Sequence, residues 1–545
     1  MVVRRFRPRG LGPTLCALNL ALLFGLALWF RVTSLESFPE PNGDEAWYGV
    51  QAGHLVQGAA FSPRTGNGNP VNPFHAGFEV LLLLAFKPSL WILRVSAVVG
   101  GIAAVGLTYP LMSRALDRTT ALIAAALLAV LPIAILYSRI GYDCSQTPLF
   151  SLLALYCALQ GRRVGLILAF ALCLVAHPSN VFLLPALLAA YLVREARERR
   201  AGAVIVASVL IGMAAAVVLY QRKMAGDFYA IRSYDAGRYL RFFGRHLLAG
   251  DLDTGRAQDV AFWGIVLALL IPGTLRLARG RCWDRLALLA GLVAGAAGYF
   301  VVVGAGGLHP AGSRYGLFLI VPAVLSFACL ARSSLAAPGG RSLRVAALLA
   351  VGWGLLLGFK VNRFDAERLP LHFTAMATRP HPAASAHRRE SPWTLGTDVP
   401  DPKVQAYRII LHDIGRAPEA QNATTTILTQ NWWLYRPLQY LAVGRRDLKV
   451  VDHGKVPCLG PQQYVDHLRD QLLAGAYLVG YPDQFLENFA KDVVPPAALR
   501  RWEIRHFGIP YLTVLRLKDG REGVSRSAVA GPRVVLGQPL AKTVR

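Results

Sequence analysis

Apolar residues in this chain fall in long blocks separated by short charged segments. Residues 11–30 (LGPTLCALNLALLFGLALWF) match the roughly 20 residues a helix needs to cross a hydrocarbon core of about 30 Å. They follow RRFRPR, and no small-x-small cleavage motif precedes Ser34, so the block reads as an uncleaved first helix. Further apolar blocks lie near 90–112, 119–138, 146–160, 164–176, 180–193, 202–220, 260–277, 286–303, 315–331 and 345–360, about eleven spans in all. The pair 164–176 and 180–193 is short and broken at His177-Pro178, as a bent hairpin would be. After residue 360 the long apolar runs stop. Short β-like runs (425–429, 448–451, 477–481, 511–517) then alternate with helix-like stretches (404–415, 462–475, 483–490), which predicts a small α/β domain. The expected organisation is a helical polytopic membrane domain over 1–360, an extracytoplasmic α/β domain over 361–518 and a loose tail over 519–545.

Charge changes the picture at one point. The chain carries 58 Lys+Arg against 32 Asp+Glu, a net +26, which in a soluble protein would suggest a nucleic-acid partner. With 54% hydrophobic residues in blocks, that reading fails, and so does disorder. With the N-terminus cytoplasmic, the segments 1–10, 113–118, 161–163, 194–200, 276–285 and 332–344 face the cytoplasm and hold 19 basic residues and four acids. The opposite loops (33–79, 139–145, 221–259, 304–314) hold ten basic and eleven acidic residues, so the excess charge is a positive-inside signal. An odd number of spans puts the C-terminal domain outside. Ala, Gly and Arg enrichment suits a bacterial chain, and hence the inner (plasma) membrane. The seven cysteines form no CxxC or Cys/His cluster, so neither a disulfide framework nor a zinc site is expected.

Polar residues at a membrane are costly unless they face a cavity or a partner, so they are the first functional candidates. Four groups fall on the external side. Pro39–Gly49 carries Asp44 and Glu45 at the start of a helix that runs through Gln57. Two acids in a first turn complement the helix dipole, and they equally suit a general base beside a polar substrate. Ser138–Asp143 carries Arg139 and Asp143 four apart, either an ion pair at a helix end or a second acid facing the same cavity. His177-Pro178-Ser179-Asn180 breaks an apolar stretch, and such a lone His is more often a turn residue than a catalyst. Leu308–Tyr315 carries His309, Arg314 and Tyr315. Arg314 suits a phosphate through its planar donor fork, or snorkelling at a helix end. The irregular loop 60–79 adds His75 and Glu79.

In order, spacing and common side these motifs resemble the GT-C polyprenyl-phosphate-dependent glycosyltransferases. Within that superfamily they are most similar to the protein O-mannosyltransferases and the bacterial aminoarabinose transferases that modify lipid A. The resemblance spans roughly residues 1–360. It implies transfer of a sugar from a polyprenyl-phosphate carrier to a lipid, glycan or protein acceptor on the external face, with inversion at C1. By motif, Asp44 would be the general base with Glu45 beside it, and Asp143 would position acceptor or base. Arg314 would stabilise the phosphate leaving group, with Arg139 second. Where the family carries a Lys/His-Pro-Pro-type motif this chain has Asn72-Pro73-Phe74-His75, which leaves open whether His75 takes the phosphate side. Oligosaccharyltransferase relatives bind a divalent metal and the mannosyltransferase branch is held not to need one. No metal or other cofactor is expected here, although the three carboxylates could offer oxygen ligands.

A transporter or lipid flippase is the rival reading. It would place charges within spans and show inverted repeats, whereas here they sit at span ends without internal symmetry. A membrane scaffold is a second rival and would not need Asp44 and Asp143 to converge. In the C-terminal domain, Trp432-Trp433 can stack on a sugar but more often packs in a core, and Asn422-Ala423-Thr424 fits a glycosylation sequon of little weight in a bacterial chain.

Overall fold

The computed structural model describes residues 13–33, 35–36, 43–65, 71–198, 202–225, 270–304, 313–336, 341–364, 411, 424–429, 432–445, 447–452, 476–480, 502–507 and 512–517. Among the described residues the membrane region is built of helices: α1 (Pro13–Val32), α2 (Gly43–Val56), α3 (Pro73–Ala85), α4 (Leu90–Ala115), α5 (Arg118–Val130), α6 (Pro132–Tyr137), α7 (Thr147–Gln160), α8 (Arg163–Ala176), α9 (Leu184–Glu198), α10 (Ala203–Ala225), α11 (Trp283–Gly304), α12 (Ile320–Leu335) and α13 (Arg341–Phe364). Short 3₁₀ segments interrupt it at Asp143–Gln146, Pro178–Leu183 and Ser313–Leu319. The breaks follow from local chemistry. Leu131 is extended (φ −63°, ψ 117°) ahead of Pro132, which separates α5 from α6. Gly161 ends α7 in the left-handed region (φ 66°). His177 is likewise extended before Pro178.

Among the described residues five helical stretches are long and apolar enough to cross a membrane: Leu90–Ala115, Pro178–Glu198, Ala203–Gln221, Trp283–Val302 and Tyr315–Leu335. Ala17–Val32, Pro73–Ala85, Arg118–Val130, Arg163–Ala176 and Ala347–Leu356 are shorter apolar helices. The protein is a polytopic helical membrane protein. Tyr315–Leu335 is the central span, 78% buried over its apolar window, whereas Ala203–Gln221 is 17% buried and presents Val204 and Ile205 outward.

Charges sort to the two ends of the bundle. All four acids of the segments read as cytoplasmic are paired with arginine. Asp117 caps α5 through Thr120 N (3.0 Å) and meets Arg285 (2.7 Å) and Arg332 (3.6 Å). Glu195 meets Arg163 (2.7 Å), Glu198 meets Arg194, and Asp284 meets Arg197. At the opposite end Arg31, Arg94 and Arg139 are among the largest fully buried side chains. Arg31 donates to the carbonyls of Ala27 (3.2 Å), Leu128 (3.1 Å) and Ala129 (3.1 Å). Arg139 donates to those of Phe30 (2.6 Å) and Thr33 (2.7 Å). Phe30 lies in the last turn of α1 and Leu128 and Ala129 in that of α5, where the carbonyls carry the negative end of the helix dipole.

The C-terminal part forms a five-stranded sheet in the order β2-β1-β3-β5-β4, from β1 (Thr425–Thr429), β2 (Leu448–Asp452), β3 (Tyr477–Gly480), β4 (Trp502–Phe507) and β5 (Leu512–Leu517). β1 pairs in parallel with β2 and β3, while β5 is antiparallel to β3 and β4. The runs read as strands form four of these; β4 was missed, although Trp502-Glu503-Ile504-Arg505 alternates apolar with charged residues. Trp432-Trp433 opens a helix, α14 (Trp432–Leu441), which packs Leu438 against Ile427, Leu448 and Val479. Apart from Leu411, the helix-like stretches expected at 404–415, 462–475 and 483–490 lie outside the described residues, as does the tail.

Candidate active site

The site builds outward from α2. Asp44 and Glu45 stand in its first turn, where a carboxylate favours the exposed backbone N–H groups. Neighbouring residues on a helix point about 100° apart, so the two acids meet different surroundings. Glu45 is turned inward and fully buried. Its Oε1 accepts from Arg94 Nη2 at 2.7 Å, and its Oε2 accepts from Arg94 Nε at 3.2 Å and from Gly141 N at 2.9 Å. Arg94 Nη1 also donates to the Leu35 carbonyl at 2.6 Å, so this one side chain ties the first external loop to α4. Asp44 is half-buried. Glu45, expected beside Asp44 in the catalytic role, has its carboxylate engaged by these donors from Arg94 and Gly141.

Asp143 opens a 3₁₀ turn directly after this anchor. Its Oδ1 accepts from Cys144 N at 2.8 Å. Asn72 fixes the turn from the other side: its Nδ2 donates to the Asp143 carbonyl (3.2 Å) and to Gln146 Oε1 (3.1 Å). Its Oδ1 caps α3 at Phe74 N (3.0 Å) and His75 N (3.4 Å). Gly141 is needed for close approach, since a Cβ there would fall 2.1 Å from the Leu93 carbonyl oxygen. Tyr48, one turn beyond Asp44, is buried on the same helix. Burial, then the Asp143 charge and hydrogen bond, then the Asp44 charge hold its phenol well above the usual range.

His75 sits behind this arrangement and is fully buried. Its Nε2 lies 3.0 Å from the Gly141 carbonyl, which can only accept, so Nε2 carries a proton. Nδ1 is 2.8 Å from Ser96 Oγ, Glu79 Oε1 is 3.3 Å from Nε2, and the Tyr48 ring packs edge-on at 5.0 Å. The structure thus places His75 as a support for the Gly141–Asp143 turn. Arg139 is engaged with the α1 carbonyls described above. His177 bonds Ser179 through Nδ1 (Oγ at 2.8 Å, N at 3.1 Å) and stacks on Tyr315 at 5.0 Å. The 3₁₀ segment Ser313–Leu319, which carries Arg314 and Tyr315, packs against both the Asp143 turn and Pro178–Leu183. Arg314 is placed here by its backbone; His309 lies outside the described residues.

The elements bearing Asp44, Asp143, His177 and Arg314–Tyr315 therefore meet in one region. Arg94, Tyr48, Asn72 and Ser96 were missed as site residues. Arg94 left a signal as a charge near the start of an apolar span, and Tyr48 as an aromatic flanking the acid pair. Among the described residues no group of three or more His, Cys, Asp or Glu side chains is placed to hold a metal ion.

No family model and no curated protein matches the sequence. Solved structures do resemble it. ArnT from Cupriavidus metallidurans bound to undecaprenyl phosphate matches with a TM-score of 0.51 at 14% identity, over 93% of this chain and 98% of that one. The same protein in the apo state gives 0.49 at 15% identity, over 92% and 98%. The Archaeoglobus fulgidus oligosaccharyltransferase gives 0.46 at 13% identity, over 91% and 74%. At such identity the likeness concerns the fold, and what it establishes is that this polytopic membrane protein has the GT-C fold.

Proposed function

We propose that the protein is a glycosyltransferase of the bacterial inner membrane that moves a sugar from a polyprenyl-phosphate carrier to an acceptor hydroxyl on the extracytoplasmic face. The undecaprenyl phosphate bound by ArnT, the structure matched over most of both chains, supports a polyprenyl-phosphate partner. The observation that carries the reading is that the α2 start bearing Asp44 is bonded through Glu45 to Gly141, two residues before Asp143, with the Arg314 segment packed against the Asp143 turn.

In this reading the acceptor oxygen attacks the sugar C1 as its proton passes to Asp44, the C1–O bond to the carrier phosphate breaks, and the configuration inverts. Asp143, oriented by Tyr48, positions the acceptor. Arg314 offsets the charge developing on the phosphate, a leaving group that needs electrostatic stabilisation rather than a strong acid. Glu45 holds the loop in register through Arg94. The N-terminus is cytoplasmic and the sheet domain extracytoplasmic. The test is sugar transfer by full-length protein in proteoliposomes, using a panel of polyprenyl-phosphate sugars and an extract of membrane acceptors. Asp44→Asn should lower turnover by about 10²–10⁴, the usual contribution of a general base. Turnover within a few-fold of wild type for a correctly inserted variant would overturn the assignment.

A further inference from the structure

We infer that the sheet domain is a brace for helix α2, with Tyr440 the positioning residue through which it holds the site; the catalytic half of this inference rests on the function proposed above. The sequence gives α2 two glycines one turn apart, and both are filled from the C-terminal domain. A Cβ on Gly49 would fall 2.5 Å from the Tyr440 ring and 2.3 Å from Leu93, and one on Gly53 would fall 2.7 Å from Val443. Only a glycine at each position lets α14 and the turn after it lie this close to α2. Tyr440 is completely buried in the seam with Ala46, Val50, Leu90 and Leu93.

Its hydroxyl supplies the second hold. Ser89 N donates to the Tyr440 oxygen at 3.3 Å, and that oxygen donates to the Ser89 carbonyl at 3.2 Å. Ser89 is the N-cap residue of α4, and five residues on Arg94 grips Glu45. Gly49 lies one helical turn after Glu45. A single side chain from residue 440 therefore wedges against α2 and pins the start of α4, the two elements whose spacing fixes the Glu45–Arg94 pair and Asp44 beside it. Tyr440 is in turn anchored, because Leu438 and Ala442 on either side of it pack into the sheet core with Ile427 and Val479. Movement of the sheet domain must move α2.

The experiment uses the full chain in nanodiscs. Hydrogen exchange of 43–56, with 147–160 as internal control, is measured for wild type, Tyr440→Ala and Tyr440→Phe, together with the kcat and KM of sugar transfer. Tyr440→Ala should speed exchange across 43–56 by at least about tenfold, since local opening follows lost packing, and leave 147–160 unchanged. It should lower kcat by roughly 10–100-fold, the scale of a small misplacement of catalytic groups, with donor KM changed less. Tyr440→Phe, which keeps the wedge, should restore most of both. Should Tyr440→Ala not fold, Val443→Ala should loosen the Gly53 end of α2 alone. Wild-type exchange of 43–56 in a folded Tyr440→Ala or Val443→Ala protein would overturn the brace, and this readout stands even if the chain transfers no sugar. Faster exchange with unchanged kcat in an active enzyme would overturn the positioning role.

Discussion

Replacing Arg94 by Met is the sharpest probe of how the site is held. Both members of the Arg94–Glu45 pair are fully buried, with contacts of 2.7 and 3.2 Å. Met keeps much of the volume of the arginine stem but removes two of the three donors to Glu45, leaving Gly141 N at 2.9 Å. An uncompensated buried carboxylate costs roughly 3–5 kcal/mol. Summing two hydrogen bonds to a charged group, at about 1.5–3 kcal/mol each, gives a similar range. Glu45→Met alone should also be destabilising, because it leaves the buried Arg94 guanidinium with the Leu35 carbonyl but no carboxylate. In the double variant an apolar pair fills the space without stranding a charge, so much of the loss should return. The assay is reversible SDS unfolding in mixed micelles, arranged as a double-mutant cycle, and the expected coupling is about 2 kcal/mol or more. An Arg94→Met variant within about 1 kcal/mol of wild type, or a double variant no better than the sum of the singles, would refute the buried anchor.

The same titration tests two neighbours. Gly141→Ala places a methyl 2.1 Å from a main-chain oxygen that cannot rotate away, so it should cost at least the roughly 1–3 kcal/mol of overpacking; a neutral result would mean the turn lies elsewhere. Tyr48→Phe should lower stability near neutral pH, since it removes the phenol that Asp143 acts on. Because folding raises the Tyr48 pKa, its stabilisation is full below the unfolded value of about 10 and is lost as pH rises through the folded value, so the variant should show a shallower alkaline decline in stability.

Much of the fold was legible because the bilayer imposes length and charge rules that act on every span independently. The break at His177-Pro178 was readable as well, since an extended residue before proline is a local steric effect. The site was legible only at the level of which loops carry it. Asp44 and Glu45 are adjacent in sequence, and nothing local says which turns inward. That is decided by Arg94, 49 residues on, whose burial is affordable only with Glu45 and the Leu35 carbonyl in place. His75 shows the converse. Its position after Asn72-Pro73 left open whether it takes the phosphate side, and the Asn72 cap and the Ser96 and Gly141 contacts hold the ring in the interior. Arg139, four residues before Asp143, turns to α1 carbonyls that no local spacing could reveal.

These placements share one physical cause. Three guanidiniums and the Glu45 carboxylate are buried at the end of the bundle where the external loops begin, a concentration of charge that would be prohibitive without matching acceptors. The matching comes from two sources: Glu45 for Arg94, and the exposed last-turn carbonyls of α1 and α5 for Arg31 and Arg139. Each guanidinium thereby joins elements distant in sequence, such as Arg31 to Ala129 and Arg139 to Phe30. Apolar packing within a bilayer gives little directional preference between helices, so these bonds are what fix the α1, α4 and α5 ends relative to one another. The Asp143 turn follows the last of them by four residues and α2 is tied to α4 through Glu45, so Asp44 and Asp143 inherit their placement from this buried frame rather than from the loops that carry them.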